Sequence, residues 1–249
     1  CSIFIFMGIQ LIQADKLKLS EFVRSEDKSI RGFSSVGPDL HVSHSGKVVL
    51  VLPIRGVLSH HDYGTNVYNI IQSLEYAYGS SNIDGIILRV CSPGGFALAG
   101  NALYAAVNDK NKPVYALVNL AASAAYKAIL TCDKIYAESP ESEFGSIGSL
   151  FSVDVLSNMW HNLGVRDFYA DKSVNKNDVW RAFDNYDPSL VQKYINESND
   201  LFLDSVIKHR NLSKDSEALD GRLVFYEEAK KLGLADGISS LSQIISSHF

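Results

Sequence analysis

The sequence has few cysteines, no excess of positive charge and no long apolar run. Its 249 residues include only three cysteines, which lie far apart and have no CxxC or HxxxH companion. This excludes a disulfide framework and a zinc site of the usual spacing, and it predicts small buried thiols in a reducing compartment. The 23 basic residues are outnumbered by 28 acidic ones, so the basic face that a nucleic-acid-binding protein needs is missing.

No apolar run reaches the roughly 18 residues that a membrane-spanning helix needs. The longest, residues 2–12, has the length of a signal-peptide core, but no basic region precedes it and no A-x-A pattern follows it. We therefore expect a cytoplasmic protein that has no membrane partner. Residues 1–46 are expected to be an N-terminal segment, an arm or a truncated leader that opens on Cys1, with one short helix and a loop after residue 12.

From Lys47 onward the pattern alternates between β-branched apolar runs and amphipathic stretches, which favours parallel βαβ units with right-handed crossovers. Strands are predicted at 47–54, 83–90, 113–119 and 133–137, and helices at 67–79, 96–108 and 121–130. The later predictions are a helix at 153–164, a strand at 165–170, a polar loop at 171–186, a long helix from Asp187-Pro188 to His209, and short helices at 226–233 and 239–247. Residues 47–249 are thus predicted to be a single α/β domain with a helical C-terminal extension.

Two turns that follow predicted buried strands could carry chemistry, because ligands bind at the carboxyl edge of an open α/β sheet. In the first turn, Gly94 and Gly95 let the backbone turn sharply and expose N–H groups that could stabilise an oxyanion, although a plain turn has the same composition. In the second, Ser123 is flanked by four alanines between a strand and a helix. That serine could be a nucleophile or simply a helix N-cap.

A nucleophilic serine needs a general base, and none of the seven histidines lies in a setting that marks it as the partner. A lysine can serve if its pKa falls by roughly three units, which costs about 4 kcal/mol and requires burial or a cationic neighbour. Lys172 and Lys176 lie in the polar loop after the strand at 165–170, but the residues alone do not single them out.

The motifs are more specific in combination, because they occur in a fixed order along the chain. They are VLPIRGVL (51–58), IDGIILRVCSPGG (83–95), KPVYALVNLAASAAY (112–126), FGSIGSLF (144–151), LGVRDFYADKSVNK (163–176) and GRLVFYEEAKKLGLADGI (221–238). From about Lys47 to Ile238 the chain resembles peptidase family S49, the signal peptide peptidase A-like serine proteases of the ClpP/crotonase fold. Within that family it looks most like the short prophage branch, the capsid-assembly proteases.

The resemblance implies a core of repeated β-β-α and βαβ units and a site with assigned roles. It implies that Ser123 is the nucleophile and that the backbone N–H groups of Gly95 and Ala124 form the oxyanion hole. Gly94 would shape the turn. The segment Gly145-Ser146-Ile147-Gly148 would line the floor of the site.

The resemblance also implies that the general base is a lysine in the loop after the strand at 165–170. The prophage branch usually has Gly-x-His-Lys there, whereas this loop is about two residues longer and has no histidine before the lysine. Lys176 matches better than Lys172 because of the polar residue before it and the Asn-Asp after it. Cys91 is a second departure, because the family usually has Asn or Asp at that position.

The expected function is that of a serine endopeptidase that cleaves proteins or peptides by acyl transfer, without a metal or another cofactor. Relatives of this length usually form homo-oligomeric rings in which serine and lysine come from neighbouring protomers, and the prophage branch processes capsid-associated proteins. Two alternatives stay open. One is a catalytically inactive, ring-forming scaffold, and the other is a crotonase-like acyl-CoA enzyme, which would not need the serine.

Overall fold

The computed structural model describes residues 38–61, 64–151, 178 and 188–249. Its strands are β1 (Asp39–Val42), β2 (Val48–Arg55), β3 (Leu58–Ser59), β4 (Thr65–Asn66), β5 (Gly85–Ser92), β6 (Val114–Ala122), β7 (Lys134–Ala137), β8 (Glu143–Gly145), β9 (Leu223–Phe225) and β10 (Gly237–Ile238). Its helices are α1 (Val67–Gly79), α2 (Ala97–Asn108), α3 (Ala124–Ala128), α4 (Ser189–Arg210), α5 (Tyr226–Lys231) and α6 (Leu241–His248). The helix expected at 153–164, the strand expected at 165–170 and both candidate lysines lie outside the described residues.

The main sheet has the order β1-β2-β5-β6-β7-β10, with β1 antiparallel to β2 and the other neighbours on this path parallel. β6 has two partners on the same side. Residues 115–118 pair with β7, and residues 120–122 pair with β8, which in turn pairs with β9. The predicted α/β class with parallel βαβ units is confirmed, and the carboxyl end of β6 lies between β5 and β8.

Alternate residues of the central strands face two different cores. In β2, Leu50, Leu52 and Ile54 contribute to the main core, whereas Val49 and Val51 contribute to a smaller one on the other face. The main core includes residues of α1 to α5, and the smaller core is covered by α6. Burial on both faces explains why these strands have continuous apolar runs instead of alternating polar positions.

The first two helices lie where the sequence places them. α1 begins after Asn66, whose side chain accepts a hydrogen bond from the Tyr68 N–H, and α2 buries one apolar face against the sheet. α2 also approaches α3 closely, because a Cβ at Gly100 would lie only 2.8 Å from the Cβ of Ala124. The small residues of these two helices therefore let α2 hold α3 against the end of β6.

Several boundaries differ from the predictions. Residues 39–42 belong to the segment after residue 12 that was expected to be a short helix and a loop, but they form β1 at the edge of the sheet. β6 continues to Ala122, so the helix expected at 121–130 is reduced to the five residues of α3. Pro188 is the N-cap of α4 and not its first helical residue.

The C-terminal part is tied to the sheet by an ion pair. The guanidinium group of Arg210, at the end of α4, binds both carboxylate oxygens of Asp236 at 3.1 and 3.2 Å. Asp236 also accepts the N–H of Ile135 in β7 at 2.7 Å. Within the described ranges no helix combines the length and the apolar character that crossing a membrane requires.

Candidate active site

The two turns that the sequence singles out lie side by side. β5 and β6 are adjacent parallel strands, and Ser92 pairs in register with Ala121. The Ser92–Gly95 turn therefore leaves the sheet beside the turn that contains Ser123. Both lie at the carboxyl edge of the sheet, as expected for a site in an open α/β fold.

Ser123 occupies a sharp turn between β6 and α3. Its backbone angles are φ 51° and ψ −127°, a conformation that is rare and strained for a residue other than glycine. The Ser123 N–H donates to the Gly145 carbonyl at 2.9 Å, and its carbonyl accepts the Lys127 N–H at 3.1 Å. Its side chain makes no capping hydrogen bond to α3. Ser123 therefore stands at the N-cap position without acting as a cap.

Gly94 is in direct contact with this turn. It has φ +98°, and a Cβ at this position would lie 2.8 Å from the Ser123 Cβ and 2.8 Å from the Ala122 carbonyl oxygen. The turn before it is fixed by the buried Ser92 side chain, which donates to the Gly56 carbonyl at 2.6 Å and accepts the Gly94 N–H at 3.1 Å. Only glycine fits at position 94 without displacing the serine.

Gly95 is held by β3 on one side. Leu58 donates its N–H to the Gly94 carbonyl at 2.7 Å and accepts the Phe96 N–H at 3.0 Å, which makes a parallel bridge between Leu58 and Gly95. In such a bridge the N–H and C=O of Gly95 itself point away from Leu58. Ala124 is the first residue of α3, so its N–H has no acceptor inside the helix. Both N–H groups thus suit the oxyanion role expected for them.

The end of β8 also meets the serine. Gly145, with φ +124°, pairs with Ala122 and accepts the Ser123 N–H, while Ser146, with φ 49°, donates its N–H to the Arg222 carbonyl at 2.7 Å. Gly148 lies farther along, where a Cβ would be 3.5 Å from the side-chain oxygen of Asn199 in α4. The structure therefore brings Gly145 to Ser123 and places Gly148 against α4.

The proposed bases are not part of the described site, because Lys176 and Lys172 lie outside the described residues. Two of the described histidines have side-chain partners elsewhere in the fold. The His209 ring nitrogen lies 2.7 Å from the Tyr104 hydroxyl, and the His248 ring nitrogen lies 3.0 Å from the Tyr136 hydroxyl. No hydrogen bond in the described ranges joins a histidine to Ser123.

Lys127, which the sequence reasoning did not consider, lies in α3 one helical turn after the serine. Its side chain is half-buried, and its ammonium group lies 5.3 Å from the centre of the Phe202 ring in α4. Burial lowers the pKa of this lysine from its ordinary value. No local pattern marks this lysine, because the residue it packs against, Phe202, lies in a distant segment of the chain.

Tyr126 anchors α3 to the C-terminal part of the chain. This side chain is fully buried, and its hydroxyl donates to the Leu234 carbonyl at 2.9 Å. Burial raises the pKa of Tyr126, so its hydroxyl stays protonated and donates this hydrogen bond. In the part of the chain that the structure describes, no three His, Cys, Asp or Glu side chains come together as a metal site would require.

These features define a carboxyl-edge site with a strained serine and two glycines in contact with it. Two N–H groups nearby, those of Gly95 and Ala124, have no acceptor among the described residues. The same fold occurs in a solved structure of a ClpP1 mutant from Listeria monocytogenes. The match has a TM-score of 0.53 at 13% sequence identity and covers 79% of this chain and 94% of that one. The chain therefore has the ClpP/crotonase fold, as predicted.

Sequence comparison then gives the family. Residues 106–248 match the model of peptidase family S49, and the chain belongs to this family. It is 32% identical over 179 residues to "Putative protease MJ0651" of Methanocaldococcus jannaschii, covering 69% of this chain and 56% of that protein. It is 27% identical over 213 residues to the head-tail preconnector protein GP5 of Enterobacteria phage P21, covering 80% and 42%. The chain thus spans about half the length of these relatives.

Proposed function

We propose that this chain is a serine endopeptidase with a Ser–Lys dyad, in which Ser123 is the nucleophile and Lys176 is the general base. The observation that supports this best is the backbone of Ser123. A serine that only capped a helix would have an extended backbone and would accept a bond from the helix. Ser123 has neither property, and its strained turn is the kind that exposes a nucleophile at the end of a sheet.

The proposed reaction is acyl transfer in two halves. Neutral Lys176 takes the proton of the Ser123 hydroxyl as Oγ forms a bond to the peptide carbonyl carbon. The lysine then gives this proton to the leaving amine while the C–N bond breaks, which leaves an acyl-enzyme. Water, deprotonated by the same lysine, attacks the ester carbonyl. The tetrahedral intermediate formed in this way collapses as its C–Oγ bond breaks and the protonated lysine returns its proton to Oγ. This step releases the acid product and restores the serine hydroxyl and the neutral lysine.

The oxyanion of each tetrahedral intermediate would be held by the N–H groups of Gly95 and Ala124. The local hydrogen bonding supports this role. The bridge to Leu58 leaves the Gly95 N–H pointing away from Leu58. Ala124 is the first residue of α3, so its N–H has no acceptor within the helix. Losing one such donor typically lowers the rate on the order of 10²–10³-fold. Gly94, Gly145 and Ser146 would hold these two N–H groups in position beside Ser123.

We further propose that the protein works in the cytoplasm as a homo-oligomeric ring and processes capsid-associated proteins. Support for the substrate class is the similarity to a protein named as a phage head-tail preconnector. Support for assembly is a set of five large apolar side chains that are exposed on α4 and β9 and that a neighbouring copy would cover. They are Leu190, Tyr194, Leu201, Leu223 and Phe225.

The test is to incubate the assembled protein with a fluorophosphonate probe and to read the product by intact mass and peptide mapping. The serine oxygen displaces fluoride from phosphorus, so an activated serine acquires one stable adduct. We expect the adduct on Ser123 and none in Ser123→Ala. The Lys176→Ala variant should be labelled far more slowly, because the serine then lacks its base.

Two other outcomes would point to the alternative functions. An assembled ring that stays unlabelled would favour the inactive scaffold. Turnover of a CoA thioester by Ser123→Ala would favour a crotonase-like acyl-CoA enzyme, since that chemistry needs the oxyanion donors but not the serine hydroxyl. Either result would contradict the dyad.

A further inference from the structure

Lys127 is the one residue of α3 that is not buried, and its environment is unusual for a lysine. Its ammonium group lies over the ring of Phe202, a residue that is only 5% exposed. Among the described residues no carboxylate lies within ion-pair distance of it, and desolvation is the cause of its lowered pKa. The chain thus holds a positive charge against an aromatic face, an arrangement that is favourable when it is partly desolvated.

The residue that carries this charge is bonded to Ser123 through the backbone. The N–H of Lys127 donates to the Ser123 carbonyl, so the two residues are one helical turn apart. The helix that carries Phe202 also reaches the loop after Gly145, since the Asn199 side chain accepts the Ser149 N–H at 3.0 Å. α4 therefore packs against both the lysine and the loop that adjoins the serine.

Among the elements that the structure describes around Lys127, no acidic group forms an ion pair with it. α2 and β6 each offer one titratable side chain, Tyr104 and Tyr115, and the Tyr104 hydroxyl is bonded to His209. At the far end of α4, Lys208 is exposed and Arg210 is paired with Asp236. The carboxylates of α4 near Phe202 are exposed on the opposite side of the helix: Glu197, Asp200 and Asp204.

We propose that Lys127 is a positioning residue of the serine site, whose fixed positive charge favours the neutral form of the base and the negative charge that develops on the substrate oxygen. This inference rests on the proposed serine-peptidase function. A base that takes the Ser123 proton must lie within hydrogen-bond reach of Oγ. A like charge one helical turn away therefore disfavours its protonated form.

The direction of the effect follows from the sign of the charges. The reaction needs a neutral base, so its rate rises as the pH rises through the pKa of that base. Removing the positive charge of Lys127 raises that pKa and moves the rate profile to higher pH. For two unit charges roughly 10 Å apart at an effective dielectric constant of about 20, the expected shift is about one pH unit.

The experiment measures the rate of fluorophosphonate labelling of Ser123 in the assembled protein as a function of pH. Lys127→Met keeps the length and apolar contacts of the side chain without its charge, and Lys127→Gln is the second neutral variant. Lys127→Arg keeps both the charge and the contact with Phe202. Lys193→Met, which removes an exposed lysine of α4, is the matched control.

We expect the midpoint of the pH profile to rise by about one unit in the two neutral variants, with an approximately tenfold slower rate below the midpoint. The midpoint in Lys127→Arg and in Lys193→Met should equal that of the wild type. A slower rate at an unchanged midpoint would make the role of Lys127 merely structural and overturn the inference. Loss of labelling in Lys127→Arg would also overturn it, because Lys127 would then be the base itself. If the wild type is not labelled at any pH, the proposed function fails first.

Discussion

Contacts with neighbouring residues hold Ser123 in its strained backbone conformation. A conformation of this kind costs on the order of 1–3 kcal/mol and persists only where surrounding contacts fix it. Here the Gly145 carbonyl holds the Ser123 N–H, α3 holds its carbonyl, and Gly94 packs against its Cβ. The hydroxyl is thereby left outside the helix that follows it, where it can meet a substrate.

The contact between Gly94 and Ser123 gives the first prediction. Gly94→Ala places a methyl group 2.8 Å from the Ser123 Cβ, at a φ of +98° that alanine rarely adopts. The turn must shift, and a displacement of about 1 Å at a catalytic group can lower a rate on the order of 10²-fold. We expect that loss in the rate of fluorophosphonate labelling at pH 8, with the variant still folded by circular dichroism.

The matched control for this variant is Gly79→Ala. Gly79 ends α1, and a Cβ at this position would meet no atom within 4 Å. Its labelling rate should equal that of the wild type. Equal rates in Gly94→Ala and Gly79→Ala would mean that the glycine turn does not position the serine.

For single residues, the sequence predicts which residues could carry chemistry better than it predicts which residues surround them. Ser123 and Gly94 stand out because small residues follow buried apolar runs, and the two strands prove to be neighbours. Lys127 does not stand out, because its burial depends on Phe202, which is 75 positions later in the chain. Contacts between distant segments leave no local signal.

Among the secondary-structure elements, α4 links the serine end of the sheet to the C-terminal strands. Its middle contacts Lys127 through Phe202, and Asn199 binds the loop after β8. Its last residue, Arg210, is bound to Asp236 beside β10, and the Arg210 Nε also donates to the Gly233 carbonyl at 2.6 Å. The pair is mostly buried, with 12% and 22% of the side chains exposed.

The second prediction concerns this anchor. Asp236→Ala removes the partner of a mostly buried guanidinium group and also the acceptor of the Ile135 N–H. Leaving such groups unpaired costs about 2–3 kcal/mol after allowance for partial exposure. We expect the free energy of unfolding, measured by urea denaturation, to fall by this amount.

An exposed ion pair of the same helix is the control. Lys193 and Glu197 are 4.0 Å apart, and their side chains are 73% and 66% exposed. Lys193→Ala should change the free energy of unfolding by no more than about 0.5 kcal/mol. If the two variants lose the same stability, the Arg210–Asp236 pair is not an anchor.

The elements that the sequence predicts most clearly are those long enough to show a period. β2, β5 and α1 each have eight or more residues with a clear apolar pattern. β8 and β9 have three residues each, which is too short for any alternation to be read. They form because β6 extends past β7 and offers free backbone groups to β8, which is a property of the assembled sheet.

For the whole molecule, the central question is whether one chain holds a complete site. Each chain contains both Ser123 and the candidate base Lys176. Resemblance to the family, however, implies that the serine of one copy meets the lysine of a neighbouring copy across a ring interface. The exposed apolar residues of α4 and β9 give the single chain surfaces that favour association. A head-to-tail interface repeated around a ring would pair the serine of each copy with the lysine of the next.

The last prediction separates a shared site from one formed within a single chain. Ser123→Ala and Lys176→Ala are each expected to be inactive, because each lacks one member of the dyad. In a ring assembled at random from equal amounts of both, about one site in four pairs an intact serine with an intact lysine from its neighbour. We therefore expect about a quarter of the wild-type peptidase activity, with a maximum at equal proportions because any excess of either variant reduces the number of mixed neighbours.

The measurement needs rings in which the proportions of the two variants are known. Subunits should be dissociated, mixed, reassembled and analysed by native mass spectrometry before activity is assayed. Rings of either variant alone supply the background. If mixed rings of confirmed composition stay at that background, the dyad is not shared between copies. Activity that rises with the mixed fraction would instead mean that the fold presents the serine in one copy and depends on the next copy for the base.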